Sequence, residues 1–201
     1  MKNGETLPSI EQKYVRHDGS HIDVEVSTSP FLHGGRFASL FIMRDITERK
    51  RSTAQMTYLA HYDSLTGLPN RMLFYQRLEH ALALAERPGR SLELLFLDLD
   101  HFKAINDTLG HACGDLVLKE TALRLQSILR ESDTVARLGG DEFVVMVENI
   151  DEAQRGGIIA EKILAAFALP FMHDTNPLQV STSIGISCFP DDGADAETLL
   201  K

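Results

Sequence analysis

The stretch Arg137-Leu138-Gly139-Gly140-Asp141-Glu142-Phe143 constrains the fold more than any other part of this chain. Strand-forming residues flank it, with Thr134-Val135-Ala136 before and Phe143-Val144-Val145-Met146-Val147 after. Two such runs separated by Gly-Gly-Asp-Glu predict a β-hairpin closed by a glycine turn. The turn combines two residues without side chains and two adjacent acids. Glycine lets a backbone approach a ligand closely, and carboxylates supply the hard oxygen ligands that Mg²⁺ prefers. The turn therefore suits a polyphosphate and its metal ions. Taken alone it also reads as a solvated surface turn, so the rest of the chain must decide.

The region around the hairpin alternates strand and helix signals. Leu92 to Asp98 is an apolar run of strand length, ending in Asp98-Leu99-Asp100. Acids at the end of a buried strand are costly unless they are solvated, paired or metal-bound. Residues 102–107 turn helical, and Gly110 precedes a helix from about Ala112 to Leu129, with Leu118, Ala122, Leu125 and Leu129 on one face and Asp115 in its first turn. After the hairpin come a helix over Asp151–Ala168, weakened by Gly156-Gly157, a strand over Val180–Ser187, and the start of a helix at Glu197. The order β, α, α, hairpin, α, β predicts a layered α/β sandwich of split βαββαβ topology. That topology sets the Asp98 strand end beside the hairpin, where Asp98, Asp141 and Glu142 can converge on one edge.

Upstream, residues 13–45 read as three strands: Tyr14-Val15-Arg16, the alternating Ile22, Val24 and Val26, and a run over residues 37–43, joined by turns at Asp18-Gly19 and Gly34-Gly35. This meander resembles the C-terminal strands of a PAS sensory domain, ending in Asp45-Ile46-Thr47. Thr47 is the expected cap of a helix over residues 48–62, with Glu48 in its first turn. Thr53, Met56 and Ala60 form a short heptad seam there, which fits either a signalling coiled coil or a solvated connector. Gly67 and Pro69 break the next stretch, Asp63 to Arg71, and Asn70 caps a helix running to about Arg87 with Leu73, Phe74, Leu78, Ala81, Leu82 and Ala85 on its apolar face. An Asp63–Arg71 pair is expected to lock that loop, a structural role rather than a catalytic one.

Charge and cysteine usage exclude some classes of function. Asp and Glu number 29 against 20 Lys and Arg, a formal charge of −9, which argues against nonspecific binding of nucleic acid. Cys113 and Cys188 match no zinc or redox spacing. The first residues lack a signal-peptide core, and the apolar stretch Ile158–Met172 is interrupted by Glu161 and Lys162, so no membrane contact is expected within this chain and a cytoplasmic location follows. A longer parent protein remains free to carry an anchor.

Five segments then carry a resemblance: DSLTGLPNR at 63–71, FLDLDHFKAIND at 96–107, GHACGD at 110–115, RLGGDEF at 137–143 and SIGIS at 183–187. Together they resemble the GGDEF family of diguanylate cyclases, which condense two GTP into cyclic di-GMP and pyrophosphate on a palm-like fold with a central, mainly antiparallel sheet. The resemblance implies three parts: residues 1–47 as the incomplete PAS strands, 48–62 as a signalling linker helix and 63–201 as the GGDEF domain. It implies Mg²⁺, with Mn²⁺ as a substitute, on Asp98, Asp141, Glu142 and the Leu99 carbonyl, and a catalytic role for Glu142 and Asp141 in activating the attacking hydroxyl. For GTP it implies Gly139 and Gly140 at the ribose and phosphates, Asn106 and Asp115 as guanine readers, backbone N–H groups of His101, Phe102 and Lys103 at the terminal phosphates, and His111 nearby. Arg130 and Asp133 match the family's product-inhibition site, the bland alternative being a surface ion pair. Arg124 and Arg155 are weaker candidates for a contact from a second protomer. A homodimer is implied, since each protomer binds one GTP. The resemblance departs at the end: the family's ALYxAKxxGRN-like helix, which grips the triphosphate, is not found before Lys201, so low activity of this stretch by itself is expected. The alternative to an enzyme is a catalytically silent module that senses GTP or cyclic di-GMP and regulates an attached domain.

Overall fold

The computed structural model describes residues 7–85, 91–148, 155–173 and 176–201. Contacts divide it into two units, one running through Tyr58 and the other from Leu59 onward.

In the first unit β1 (Leu7–Val15), β2 (His21–His33) and β3 (Arg36–Asp45) form an antiparallel meander. Both turns fall where glycine allows them. His33 pairs with Arg36 across the two-residue loop Gly34-Gly35, whose φ angles of 56° and 74° suit a primed hairpin turn. Strand alternation places Val24 and Val26 in the interior. Ile10, Phe41 and Met43, in register with that face, stay exposed. α1 (Thr47–His61) follows, and its cap differs from expectation. The Asp45 carboxylate accepts the Thr47 N–H at 2.9 Å, and Ile46 supplies the first carbonyl, to Lys50 N–H at 2.9 Å. The Thr47 hydroxyl is engaged elsewhere, accepting the Asp23 N–H of β2 at 2.9 Å. Lys50 bridges Glu11 (2.7 Å) and Asp23 (3.0 Å). No α1 side chain is buried, so the seam of Thr53, Met56 and Ala60 faces solvent.

The second unit comprises α2 (Arg71–Ala85), β4 (Leu92–Leu99), α3 (Phe102–Leu109), α4 (His111–Ile128), β5 (Thr134–Gly139), β6 (Glu142–Glu148), α5 (Arg155–Phe167), β7 (Phe171–His173), β8 (Asn176–Leu178), β9 (Thr182–Phe189) and α6 (Ala196–Leu199). The main sheet has the order β5-β6-β4-β9, with every neighbouring pair antiparallel. Strand alternation divides its core in two. Leu95, Leu97, Leu99, Phe143, Val145 and Val147 pack with Val117, Leu118, Leu125 and Ile163 of α4 and α5. Leu92, Leu94, Val144 and Met146 pack with Phe74, Leu78 and Leu82 of α2 and with Leu199. Helices on both faces explain why β4 and β6 read as nearly unbroken apolar runs. Each fully buried large side chain contributes about 1.5–3 kcal/mol, and central β4 has no free edge. Asn70 caps α2 as expected, accepting the Leu73 N–H at 3.1 Å.

Three details differ from the sequence-based expectation or refine it. The β7–β8 hairpin was not expected, because three-residue strands are too short to show alternation. Arg124 is engaged inside the domain. Its guanidinium donates to the carbonyls of Ala166 (2.8 Å), Leu169 (2.7 Å) and Pro170 (2.8 Å) and to Glu120 (3.0 Å), and it lies 3.8 Å from the Phe171 ring centroid. It thus closes the C-terminus of α5, whose last carbonyls have no partner within the helix. Gly156 explains part of the glycine pair in α5: a Cβ there would collide with the carboxylate of buried Glu93. The expected helix start at 151–154, and the Arg155 side chain, lie outside the described residues.

Replacing Arg124 with Ala is expected to cost about 2 kcal/mol of stability, through the lost charge-assisted bonds and cation–π contact. Arg124→Lys should recover only part of this, because an ammonium cannot span three carbonyls and a ring face. Urea denaturation of the two variants measures both effects.

Candidate active site

The site forms where β4 ends beside the β5–β6 turn. The register sets Asp98 directly opposite Glu142 on one side and Ser183 of β9 on the other. In the hairpin Arg137 pairs with Phe143 and Gly139 with Glu142, so Leu138 is bulged out of register. Gly140 and Asp141 make the turn. Gly139 (φ 146°) and Gly140 (φ 55°) adopt angles that other residues rarely take. A Cβ at either would meet nothing within 4 Å, so the backbone angle demands glycine, and the space over the turn is open.

A second loop holds this turn in place. Arg137 Nη1 donates to both carboxylate oxygens of Asp63 (3.0 and 3.1 Å), while Nε and Nη2 donate to the Gly140 carbonyl (3.0 and 2.7 Å). The backbone continues the link, with Arg137 N–H donating to Pro69 O at 3.0 Å. This corrects the expected Asp63–Arg71 pair. The Gly67–Pro69 turn folds the loop back, with Asp63 N–H donating to Leu68 O at 2.8 Å, and that carries Asp63 to β5 rather than to α2. Arg71 instead reaches the hairpin itself, donating to Leu138 O (3.3 Å) and Glu142 Oε2 (3.4 Å). Burial pushes the Asp63 pKa up, but the Thr66 hydroxyl and N–H and the Arg137 guanidinium outweigh it and hold the carboxyl below its ordinary value.

The two acids at the end of β4 differ. Asp98 is pushed above the usual carboxylate range by burial, then by the charges of Asp141, Glu142 and Asp100. Asp100 is held low by the hydroxyls of Ser181 (2.6 Å) and Ser183 (2.7 Å) and clasps β4 to β9. Among the described residues no three His, Cys, Asp or Glu side chains close a metal cage by themselves. The hairpin acids and Asp98 form an open, mutually repelling edge. It borders a cleft of about 460 Å³ lined by Arg71, Phe96, Asp98, Leu138, Glu142 and Ser183. An open carboxylate edge of this kind fits Mg²⁺, which keeps few protein ligands and takes the rest from water and phosphate oxygens.

The other site candidates lie on α3, α4 and the loop after α4. His101, exposed and in the left-handed region (φ 59°), turns the chain into α3, and its carbonyl accepts from Ala104 and Ile105 N–H (2.9 and 3.3 Å). Phe102 and Leu99 are buried and Lys103 is exposed. Gly110 (φ 83°) redirects the chain into α4, whose first residue, His111, is exposed. Asn106 packs against Gly114, where a Cβ would collide with its Oδ1, and exposed Asp115 is the next residue. Arg130 and Asp133 close a tight turn through Arg130 N–H to Asp133 Oδ2 (3.1 Å) and Asp133 N–H to Arg130 O (3.0 Å), leaving the Arg130 side chain exposed. Arg71, Gly114 and Arg137 were not singled out as site residues by sequence reasoning. The cue for each was its place within a family-like segment, at 63–71, 110–115 and 137–143, but none of those segments assigned it a contact at the site.

An antiparallel sheet between helices, with acids from the end of a central strand and an adjacent hairpin turn, is the α/β sandwich of nucleotide cyclases. Within that class the chain belongs to the GGDEF family: the family model for the diguanylate cyclase GGDEF domain matches residues 60–201. The chain is similar to the bifunctional diguanylate cyclase/cyclic di-GMP phosphodiesterase MucR of Pseudomonas aeruginosa, with 43% identity over 154 residues, 77% of this chain and 22% of MucR. It therefore spans about a fifth of that relative's length. Among solved structures, the GGDEF domain of TpbB from Pseudomonas aeruginosa matches with TM-score 0.67 and 45% identity, over 70% of this chain and 82% of that one. The coiled coil and GGDEF domain of DgcB from Caulobacter crescentus, in complex with cyclic di-GMP, matches with TM-score 0.66 and 28% identity, over 76% of this chain and 82% of that one. No helix among the described residues is long and apolar enough to cross a membrane.

Two outcomes test the electrostatics. A carboxyl whose folded pKa is depressed stabilises the fold above its unfolded value, near 3.9, and loses that contribution as pH falls through the folded value. Stability should therefore drop below about pH 4, and Asp63→Asn should lower it at neutral pH and flatten that acid limb, read from melting temperature against pH. Asp98 has the opposite sign: its raised pKa means that ionisation destabilises the fold. Asp98→Asn should raise the melting temperature of nucleotide-free protein at pH 7 and reduce the stabilisation gained on adding Mg²⁺ with GTP.

Proposed function

We propose that this domain is a diguanylate cyclase, joining two GTP molecules into cyclic di-GMP with release of pyrophosphate. The observation that carries this reading is the direct opposition of Asp98 and Glu142 across β4 and β6, with Asp141 in the adjoining turn. A purely structural module gains nothing from an edge whose carboxylates repel one another, whereas a site for polyphosphate needs one. Mg²⁺, or Mn²⁺ in its place, would be held by Asp98, Asp141, Glu142 and the Leu99 carbonyl, and when bound would neutralise and align the transferring phosphoryl group. The chain's own residues bind and orient. The Asn106 amide and Asp115 carboxylate offer the acceptors and donors that match a guanine edge. The backbone N–H groups of His101, Phe102 and Lys103 face the terminal phosphates at the start of α3, with His111 beside them. Gly139 and Gly140 leave the space over the turn open for ribose and phosphate. Glu142 takes the proton from the 3′-hydroxyl that attacks the α-phosphorus of the second GTP, and pyrophosphate leaves. Each protomer holds one GTP, so the reaction requires a homodimer.

The same reading assigns Arg130 and Asp133 to a product-inhibition site. The exposed guanidinium supports this, since it is available to stack on and hydrogen-bond a guanine. We read the β1–β3 meander as the final strands of a PAS-type sensor that controls the cyclase, a reading supported by its antiparallel order and its uncovered apolar face. A catalytically silent module that senses GTP or cyclic di-GMP is the alternative, but a pure sensor need not keep both hairpin acids.

Incubation with GTP and Mg²⁺, followed by chromatography of the nucleotides, tests the reading. Cyclic di-GMP formation that falls by about 10²-fold or more in Glu142→Gln, with GTP binding retained, is the expected result. The assay uses a form extended beyond Lys201, since low activity is expected of residues 1–201 by themselves; tight GTP binding without turnover in that form sinks the enzyme reading. Arg130→Ala should raise the product concentration needed for inhibition; unchanged inhibition removes Arg130 from the account.

A further inference from the structure

We propose that Gly114 determines base selectivity, because its missing side chain is what allows the Asn106 amide to lie against α4 next to Asp115. This rests on the reading of Asn106 and Asp115 as the residues that meet the base. Three observations carry it. A Cβ on Gly114 would fall on Asn106 Oδ1, within 3.0 Å of Asn106 Cγ and 3.2 Å of Phe102 Cζ. Gly114 is buried, so a methyl group has no route to solvent. Its backbone is ordinary helix, outside the left-handed region, so the glycine is required by the neighbour it accommodates and not by its own dihedral angles.

The geometry makes the consequence selective. Asn106 Oδ1 is the far end of a side chain that can rotate, whereas the α4 backbone is fixed by Cys113, Val117 and Leu118, all buried. A methyl at position 114 therefore displaces the amide before it displaces the helix. Asp115, on the next residue, keeps its place. An amide and a carboxylate at fixed spacing present donor and acceptor together, a pattern that complements the guanine edge and mismatches adenine, whose 6-position carries a donor where guanine carries an acceptor. Phe102 Cζ, at 3.2 Å, is met less closely than the amide, so the guanine contact is weakened first and the contacts to ribose and phosphates least.

The test is a double-mutant cycle on the full chain, reading GTP and ATP affinity by calorimetry with Mg²⁺ present. Asn106→Ala and Gly114→Ala are each expected to weaken GTP binding about tenfold, the scale of one lost hydrogen bond to a base. ATP affinity should change little, and the double variant should be no weaker than either single one. A methyl with a purely structural effect would lower GTP and ATP affinity alike, and that result overturns the proposal. So does a Gly114→Ala effect that persists undiminished in the Asn106→Ala background. If Asn106→Ala alone leaves GTP affinity unchanged, the assignment of Asn106 as a base reader falls and the proposal falls with it. If Asn106→Ala weakens GTP while Gly114→Ala does not, only the proposal falls. Should Gly114→Ala fail to fold, the double variant is expected to recover folding, since truncating Asn106 vacates the space the methyl needs; a double variant that melts no higher than Gly114→Ala overturns the clamp.

Discussion

The fork of Arg137 is the interaction on which the catalytic face depends. One guanidinium, 12% exposed, binds a carboxylate from the loop before α2 and the carbonyl of the turn it precedes by three residues. Arginine suits this position because its planar donors point along two directions at once. A turn containing two glycines is conformationally loose when isolated. With the Gly140 carbonyl tied to Arg137, and Arg137 tied to Asp63, the turn inherits the rigidity of the β5–β6 ladder and of the loop that introduces α2. Asp141 and Glu142 then have defined positions relative to Asp98. Shielding raises the cost of holding these charges, and at Asp63 the Thr66 and Arg137 donors outweigh that cost.

Much of this was legible in the sequence, and the reasons are specific. β4 and β6 announced themselves as apolar runs because helices cover the sheet on both faces. The hairpin was legible because glycine pairs flanked by β-formers have few other uses, and α2 was legible through Asn70 and its apolar face. The remainder depended on pairings between residues far apart in sequence. Nothing local tells Asp63 to choose Arg137 over Arg71, because the choice is made by the backbone path through Gly67 and Pro69. Arg124 looks like any surface arginine of an amphipathic helix until the chain after α5 folds back over it. Thr47 carried the residue preference of a cap, yet the β2 backbone claimed its hydroxyl and Asp45 took the role. Gly114 stood inside the GHACGD segment without an assigned role, since its meaning lies in a side chain eight positions earlier.

The unit therefore contains two kinds of acid. Asp63 and Asp100 are satisfied by donors and strengthen the fold. Asp98 is opposed by the charges of Asp141 and Glu142 and weakens it, a local conflict of the sort that marks a functional site in an otherwise consistent structure. The sheet tolerates the conflict because Asp98 and Glu142 are exposed to water, their side chains alternating with those of buried Leu97, Leu99 and Phe143.

The contrast between Asp98 and Asp100 also fixes an order of events in acid. Two carboxyls on either side of Leu99, one near the end of β4 and one just past it, are shifted in opposite directions from their common starting value. As the nucleotide-free protein is acidified, Asp98 takes up its proton, which relieves repulsion, before Asp100 and Asp63 take up theirs, which break bonds. The edge thus gives up the charge of Asp98 while the Asp100 clasp to β9 and the Asp63 anchor of the hairpin remain intact.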